Sequence, residues 1–142
     1  MKKLQIFVLL VFTFVLAACV KVDPPVQPVH LENGVFENRG KEIAIKVELS
    51  PQLAILGENK VLITLKDSAG IPIEDAHLNL SASSTLPGMK IERIEMNHAS
   101  KGFYEARLHY MSVGQWKMTL AIHRFGQKEI KEIFLFDVIG HS

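Results

Sequence analysis

The sequence predicts an all-β protein in which two antiparallel sheets pack face to face. From Glu42 onward, apolar and polar residues alternate with a period of two, as they do in strands that bury one face. Clusters of Gly, Pro, Asn, Asp and Ser separate the alternating segments at short intervals. No segment shows the 3.6-residue periodicity of an amphipathic helix. The 142 residues are enough for one such domain.

The first 18 residues are predicted to be a cleaved signal peptide. Lys2 and Lys3 precede an apolar run from Ile6 to Ala18, which is too short to span a bilayer comfortably. The run ends in Leu-Ala-Ala-Cys, which resembles the lipobox of bacterial lipoproteins. This resemblance implies cleavage before Cys19 and acylation of its thiol. The alternative is an ordinary secretory signal followed by an unrelated cysteine.

Residues 19–40 are predicted to be the lipidated cysteine and a flexible tether. Pro24, Pro25 and Pro28 favour extended backbone and oppose regular structure. Two acyl chains on Cys19 would hold the protein stably at a membrane, because a single chain binds only marginally. We therefore expect a lipid-anchored protein on the extracytoplasmic side of the cell membrane.

Residues 41–140 are predicted to form the sandwich, with about seven strands. In order, the predicted strands are 42–49, 60–67, 76–82, 89–96, 102–110, 115–124 and 128–138. The fourth strand alternates weakly at Ile91 and Ile94, and the seventh slips near Glu132, where we expect a β-bulge. Seven short strands indicate an immunoglobulin-like sandwich, with Trp116 in its core. Cys19 is the only cysteine, so the core has no internal disulfide.

Several short motifs along this domain resemble those of the YtkA-like domain, which is related to the FixH family. They are Gly57-Glu58-Asn59, the strand to Asp67, Gly70-Ile71-Pro72-Ile73 with Ala76, Leu86-Pro87-Gly88-Met89, Gly102-Phe103-Tyr104, and Met111-Ser112-Val113-Gly114-Gln115-Trp116. The resemblance implies a sandwich outside the cytoplasmic membrane and a link to copper and respiratory oxidase assembly. The family's Met-Pro-x-Met motif has Leu86 at its first position here.

The resemblance makes copper(I) the candidate cofactor, and copper(I) prefers thioether and imidazole ligands. The domain offers Met89, Met96, His98, His109 and Met111 as candidate ligands, with His77 and His123 also available. Met96 and His98 are two residues apart, as are His109 and Met111, so each pair shares a face of an extended strand. If the two pairs lie on neighbouring strand ends, three or four ligands converge. Packing and solvated surface positions are the competing interpretation of each residue.

Enzymatic function and nucleic-acid binding are not expected. The sequence has no Gly-x-Ser-x-Gly, His-Glu-x-x-His or phosphate-binding glycine motif. After removal of residues 1–18, the chain carries 14 basic against 15 acidic residues, without a basic surface for nucleic acid. Two functions remain open: an accessory protein in copper handling, and a metal-free module that binds an envelope or respiratory-complex protein.

Overall fold

The computed structural model describes residues 22–38 and 42–141, which form ten β-strands and no helix. Accordingly, no helix long and apolar enough to cross a membrane occurs in these two ranges. The strands are β1 (Val29–His30), β2 (Val35–Asn38), β3 (Ile43–Ser50), β4 (Gly57–Asp67), β5 (His77–Ser84), β6 (Lys90–Glu95), β7 (Asn97–Ser100), β8 (Phe103–Tyr110), β9 (Gly114–His123) and β10 (Ile130–Val138).

In the described part of the chain, the strands form two five-stranded sheets, in the orders β1-β10-β9-β5-β6 and β2-β3-β4-β8-β7. All neighbouring strands are antiparallel except β1, which lies parallel to β10. The predicted all-β sandwich is therefore confirmed. Each of the seven predicted strands has a counterpart in the structure, within a few residues at its ends.

The core lies between the sheets and is filled by the inward-facing residue of each alternating pair. Burial alternates residue by residue along β3, β4, β5 and β9, because successive side chains point to opposite faces of a sheet. Trp116 is fully buried, as predicted, and so is Met118. The aromatic rings of Tyr110 and Trp116 pack edge to face, with their centroids 5.0 Å apart.

The predicted tether was wrong for residues 29–38, which belong to the sandwich. β1 pairs with β10, β2 pairs with β3, and Leu31 between them is 4% exposed. The ring of Phe36 packs on that of Phe134, with centroids 5.1 Å apart. β1 and β2 have only two and four residues, too few to show a period-two pattern. The prediction of a tether therefore rested on the three prolines.

The β-bulge predicted near Glu132 was also wrong. Pairing between β9 and β10 is unbroken from Ile130 opposite Ile122 to Val138 opposite Gly114. Glu132 simply occupies an inward position among apolar residues, where it is 6% exposed.

A real irregularity lies between β5 and β6. Leu80 is opposite Ile94 and Ala82 is opposite Ile91, so three steps along β6 match two steps along β5. This extra residue is a β-bulge, and it explains why Ile91 and Ile94 depart from simple alternation.

The sandwich has two ends of different character. We call one the cleft end; it carries the β4–β5 connection, the β7–β8 turn and the β9–β10 turn. The opposite end, which we call the apolar end, carries the β3–β4, β5–β6 and β8–β9 connections and residues 139–141. Candidate functional groups concentrate at the cleft end.

Candidate functional site

Two histidines lie side by side on the outer face of one sheet at the cleft end. His77 is the first residue of β5 and His123 is the last residue of β9, and they are directly opposite in the register. The next pair inward, Leu78 and Ile122, is buried, so both imidazoles point outward. The Cβ atoms of directly opposed residues are about 5 Å apart, which puts the two rings within reach of one ligand.

A carboxylate flanks each histidine. Glu95 Oε1 lies 3.7 Å from His77 Nδ1, and Glu129 Oε2 lies 3.0 Å from His123 Nε2. These four residues, Glu95, His77, His123 and Glu129, form what we call the histidine row. Imidazole and carboxylate groups together are a donor set that copper and other transition metals accept. Carboxylates beside ligating histidines also orient the rings.

An open cleft of about 500 Å³ adjoins the histidine row. Seven of the side chains around it are polar or soft donors: Glu74, Asp75, His77, Glu95, Met96, Asn97 and His98. It forms where the chain leaves β6 in one sheet and enters β7 in the other, with Met96 at the crossing. The Met96 amide donates to the Leu78 carbonyl oxygen at 2.8 Å, and this bond fixes the crossing beside the start of β5.

Two further interactions shape the wall of the cleft. The His98 ring packs on Tyr104, with centroids 4.9 Å apart, and the Tyr104 hydroxyl donates to the Ile73 carbonyl oxygen at 2.8 Å. Burial raises the pKa of Tyr104. The Arg124 guanidinium donates to the Asp75 carboxylate at 3.1 Å, and this hydrogen bond lowers the pKa of Asp75.

The five predicted metal ligands do not form one cluster. Their positions differ in both burial and location.
Met96 is 5% exposed in the core at the cleft end, Met89 is half-buried against the core at the other end of β6, and Met111 is exposed beyond the end of β8. His98 and His109 are both exposed on sheet surfaces.

The register separates the two predicted ligand pairs. His98 is opposite Tyr104 on β8, whereas His109 lies five residues further along β8, opposite Glu58. Five residues of strand span about 17 Å, too far for His98 and His109 to share a metal ion. The expected convergence of the two pairs is therefore not found. Cys19 and the signal segment lie outside the described residues.

The sequence offered no local signal for the histidine row. His77 and His123 are on strands that are distant in sequence, and only the pairing of β5 with β9 brings them together. Within residues 22–38 and 42–141, no group of three or more His, Cys, Asp or Glu side chains is arranged to hold a metal ion. The row thus presents two adjacent imidazoles rather than a complete coordination shell.

Three solved structures share this fold. The soluble domain of PmoD from a Methylocystis species is 13% identical, with a TM-score of 0.51, covering 73% of this chain and 95% of that one. A DUF4426 family protein from Pseudomonas aeruginosa is 10% identical, with a TM-score of 0.54, covering 77% and 98%. FetP from uropathogenic Escherichia coli, expressed in the periplasm, is 15% identical, with a TM-score of 0.53, covering 84% and 97%.

A copper-bound variant of FetP also matches this chain, with 16% identity and a TM-score of 0.50, covering 80% of this chain and 95% of that one. At these identities the likeness establishes the sandwich fold alone. No known sequence family and no curated protein matches the chain. The resemblance to YtkA-like and FixH-like domains stays a prediction from the sequence.

Proposed function

We propose that this protein is a non-catalytic lipoprotein of the extracytoplasmic face of the membrane that handles copper at the histidine row. The observation that carries the proposal is the direct cross-strand pairing of His77 with His123, each beside a carboxylate. A copper-bound FetP variant supports it, because that protein has the same fold. In this role the protein would serve as an accessory to a copper-dependent complex, such as a respiratory oxidase.

The chemistry of the row suits an accessory site. Two imidazoles supply a pair of good copper ligands, and the exposed carboxylates leave room for ligands from a partner. His98 and Met96 line the adjoining cleft, so they are the nearest members of the predicted ligand set. A site with two ligands from its own strands leaves coordination positions open, and ligands from a partner can enter these positions to take over the metal.

Competition with a copper(I) chelator under reducing conditions tests the proposal. We expect the protein to withdraw copper from the chelator and His77→Ala or His123→Ala to weaken binding at least tenfold. His109→Ala is the matched control, because His109 is an exposed strand histidine distant from the row. Failure to withdraw copper at any ratio, or equal binding by His77→Ala and the wild type, would refute copper handling at this site.

The anchor is tested separately, with Cys19→Ser. Acylation of Cys19 predicts that the wild-type protein fractionates with membranes and that this variant does not. An unchanged distribution would show that something other than the Cys19 thiol holds the protein at the membrane.

The second candidate function is a metal-free protein-interaction module, and the exposed apolar side chains at the apolar end support it. Five of the nine exposed large apolar side chains of the described residues lie there: Leu53, Leu86, Met111, Val113 and Ile139. The connections that carry them adjoin one another, since Ser84 and Ser112 have their hydroxyl oxygens 3.4 Å apart and the Ile139 amide donates to Ala54. A contiguous exposed apolar rim is typical of a protein-binding surface.

Site-specific photo-crosslinking in intact cells tests this second function. A crosslinker at Leu86 is expected to give one discrete adduct, whereas one at Glu105, in the middle of β8 on the sheet face, gives none. The adduct should disappear when Met111→Ser and Val113→Ser are introduced together. Absence of a Leu86 adduct, or equal labelling from both positions, would contradict a specific partner at the apolar end.

A further inference from the structure

The segment from Val22 to β1 lies along the edge of one sheet, and its first residues are at the cleft end. β1 is parallel to β10, with Val29 opposite Phe134 and His30 opposite Leu135. Six residues earlier, Asp23 forms an ion pair with Lys128, which lies six residues before Phe134. The parallel course therefore extends from β1 back to Asp23. Val22 accordingly lies beside the β9–β10 turn.

The chain between this point and the proposed lipid is very short. Cys19 is three residues before Val22, and three residues of extended chain reach at most about 11 Å. A diacylated Cys19 sits at the membrane interface, because its acyl chains are inside the bilayer. The β9–β10 turn is therefore held close to the lipid headgroups.

This part of the cleft end exposes apolar side chains. Phe125, at the tip of the β9–β10 turn, is fully exposed, and Val22 and Ile71 are 84% and 60% exposed. An exposed aromatic side chain at the tip of a turn is stabilised by insertion into the membrane interface, because its apolar surface is then removed from water. A single exposed apolar residue is common on soluble proteins; its position beside the anchoring segment distinguishes Phe125.

The charges near the turn are balanced. Arg124 is paired with Asp75, and Lys128 is paired with Asp23. Because these two cations are each paired with a carboxylate, they add little attraction to anionic lipid, and the expected contact of the turn is apolar.

We propose that the β9–β10 turn inserts Phe125 into the membrane interface, so that the cleft end faces the bilayer and the apolar end faces away from it. The occupant of this surface is the lipid bilayer itself. The inference rests on the proposed acylation of Cys19. It also brings the histidine row near the membrane surface, since His123 is two residues from Phe125.

Depth-dependent quenching by brominated lipids tests the orientation. The full-length acylated protein is reconstituted in phosphatidylcholine vesicles with bromine on the acyl chains, as Phe125→Trp and, for comparison, as Leu86→Trp. Trp116 is buried and contributes the same background to both. We expect at least twofold stronger quenching for Phe125→Trp, unchanged in high salt. Equal quenching of both variants, or none at Phe125→Trp, would overturn the orientation.

Flotation of the same vesicles separates this inference from the anchor. Protein that floats without quenching at position 125 retains the lipid anchor and refutes the orientation. Protein that does not float refutes the anchor, and the orientation with it. Cross-linking of position 125 to a protein, in place of lipid quenching, would also refute the bilayer as occupant.

Discussion

The two ends of the sandwich differ in the hydrogen bonding of a buried tyrosine. Each has one of the chain's two tyrosines, and both tyrosines are on β8 with fully buried rings. At the cleft end, the Tyr104 hydroxyl donates to the Ile73 carbonyl oxygen. At the apolar end, the Tyr110 ring packs on Trp116 and Phe136, and its buried hydroxyl has no hydrogen-bond partner in the described part of the chain.

The difference concerns the tyrosine hydroxyls, because hydrogen bonds occur at both ends. At the apolar end the buried Asn59 side chain bonds Ile55 and Gly57, and the Trp116 ring N–H donates to the Ser112 carbonyl oxygen. At the cleft end, solvated carboxylates and histidines lie outside a buried tyrosine whose hydroxyl is hydrogen-bonded. At the apolar end, Tyr110 packs against two aromatic rings, and the outer rim is apolar. Substitutions at matched positions should therefore have opposite effects at the two ends.

Of the cleft-end substitutions, the largest effect is expected at the β7–β8 turn. Gly102 has a φ of +72°, and a Cβ there would lie 2.4 Å from the Leu65 carbonyl oxygen. That carbonyl belongs to backbone and cannot rotate away, so Gly102→Ala must displace β4 or the turn. We expect a loss of about 3 kcal/mol in the free energy of unfolding, measured by urea denaturation.

Gly126→Ala is the control for backbone strain alone. Gly126 has a φ of +70°, close to that of Gly102, but nothing lies within 4 Å of its Cβ position. We expect a loss of about 1 kcal/mol. Equal losses for the two alanine variants would mean that the turn is not fixed against β4.

The two tyrosines give the most direct test of the comparison. Tyr104→Phe removes the donor to Ile73 and is expected to destabilise the protein by about 1 kcal/mol. Tyr110→Phe removes a buried hydroxyl without a partner and is expected to stabilise it by about 1 kcal/mol. Urea denaturation of both variants measures the difference. A loss of stability in both would indicate that the Tyr110 hydroxyl is satisfied by bound water.

Alkaline pH should destabilise the protein through the same hydroxyl. Burial raises the pKa of Tyr110 well above the ordinary tyrosine value. The unfolded chain ionises near pH ~10, while the folded protein keeps the proton, so stability decreases as the pH rises above that value. The slope from one such group is about 1.4 kcal/mol per pH unit. Denaturation between pH ~9 and ~11 should show a smaller slope for Tyr110→Phe; identical slopes would contradict this assignment.

Local pattern predicted most of the fold, and failed where structure depends on pairing between distant strands. The long strands could be predicted because apolar and polar residues alternate along them, as in Ile43–Ser50, whose buried and half-buried residues alternate. β7 has four exposed residues and no alternation to detect, and β1 has only two residues. The predicted ligands failed to converge for a related reason. Spacing along one strand fixes a face, but only the order β9-β5-β6 brings His123, His77 and Glu95 together.

The smallest effect is expected from the ion pair between Arg124 and Asp75 at the cleft end. Both its contacts are exposed to solvent, at 3.1 Å and 3.4 Å, and surface pairs of this kind contribute little. Arg124→Ala should cost about 0.5 kcal/mol at neutral pH. Because Arg124 lowers the pKa of Asp75, this contribution is present above the unfolded carboxyl pKa and is lost as the pH falls through the folded value. The wild type and Arg124→Ala should therefore converge in acid, with Asp75→Asn as the partner variant of a double-mutant cycle. A difference in stability that persists in acid would assign the effect to packing of the aliphatic part of the Arg124 side chain. The polar side chains of the cleft end would then have a role in binding rather than in stability.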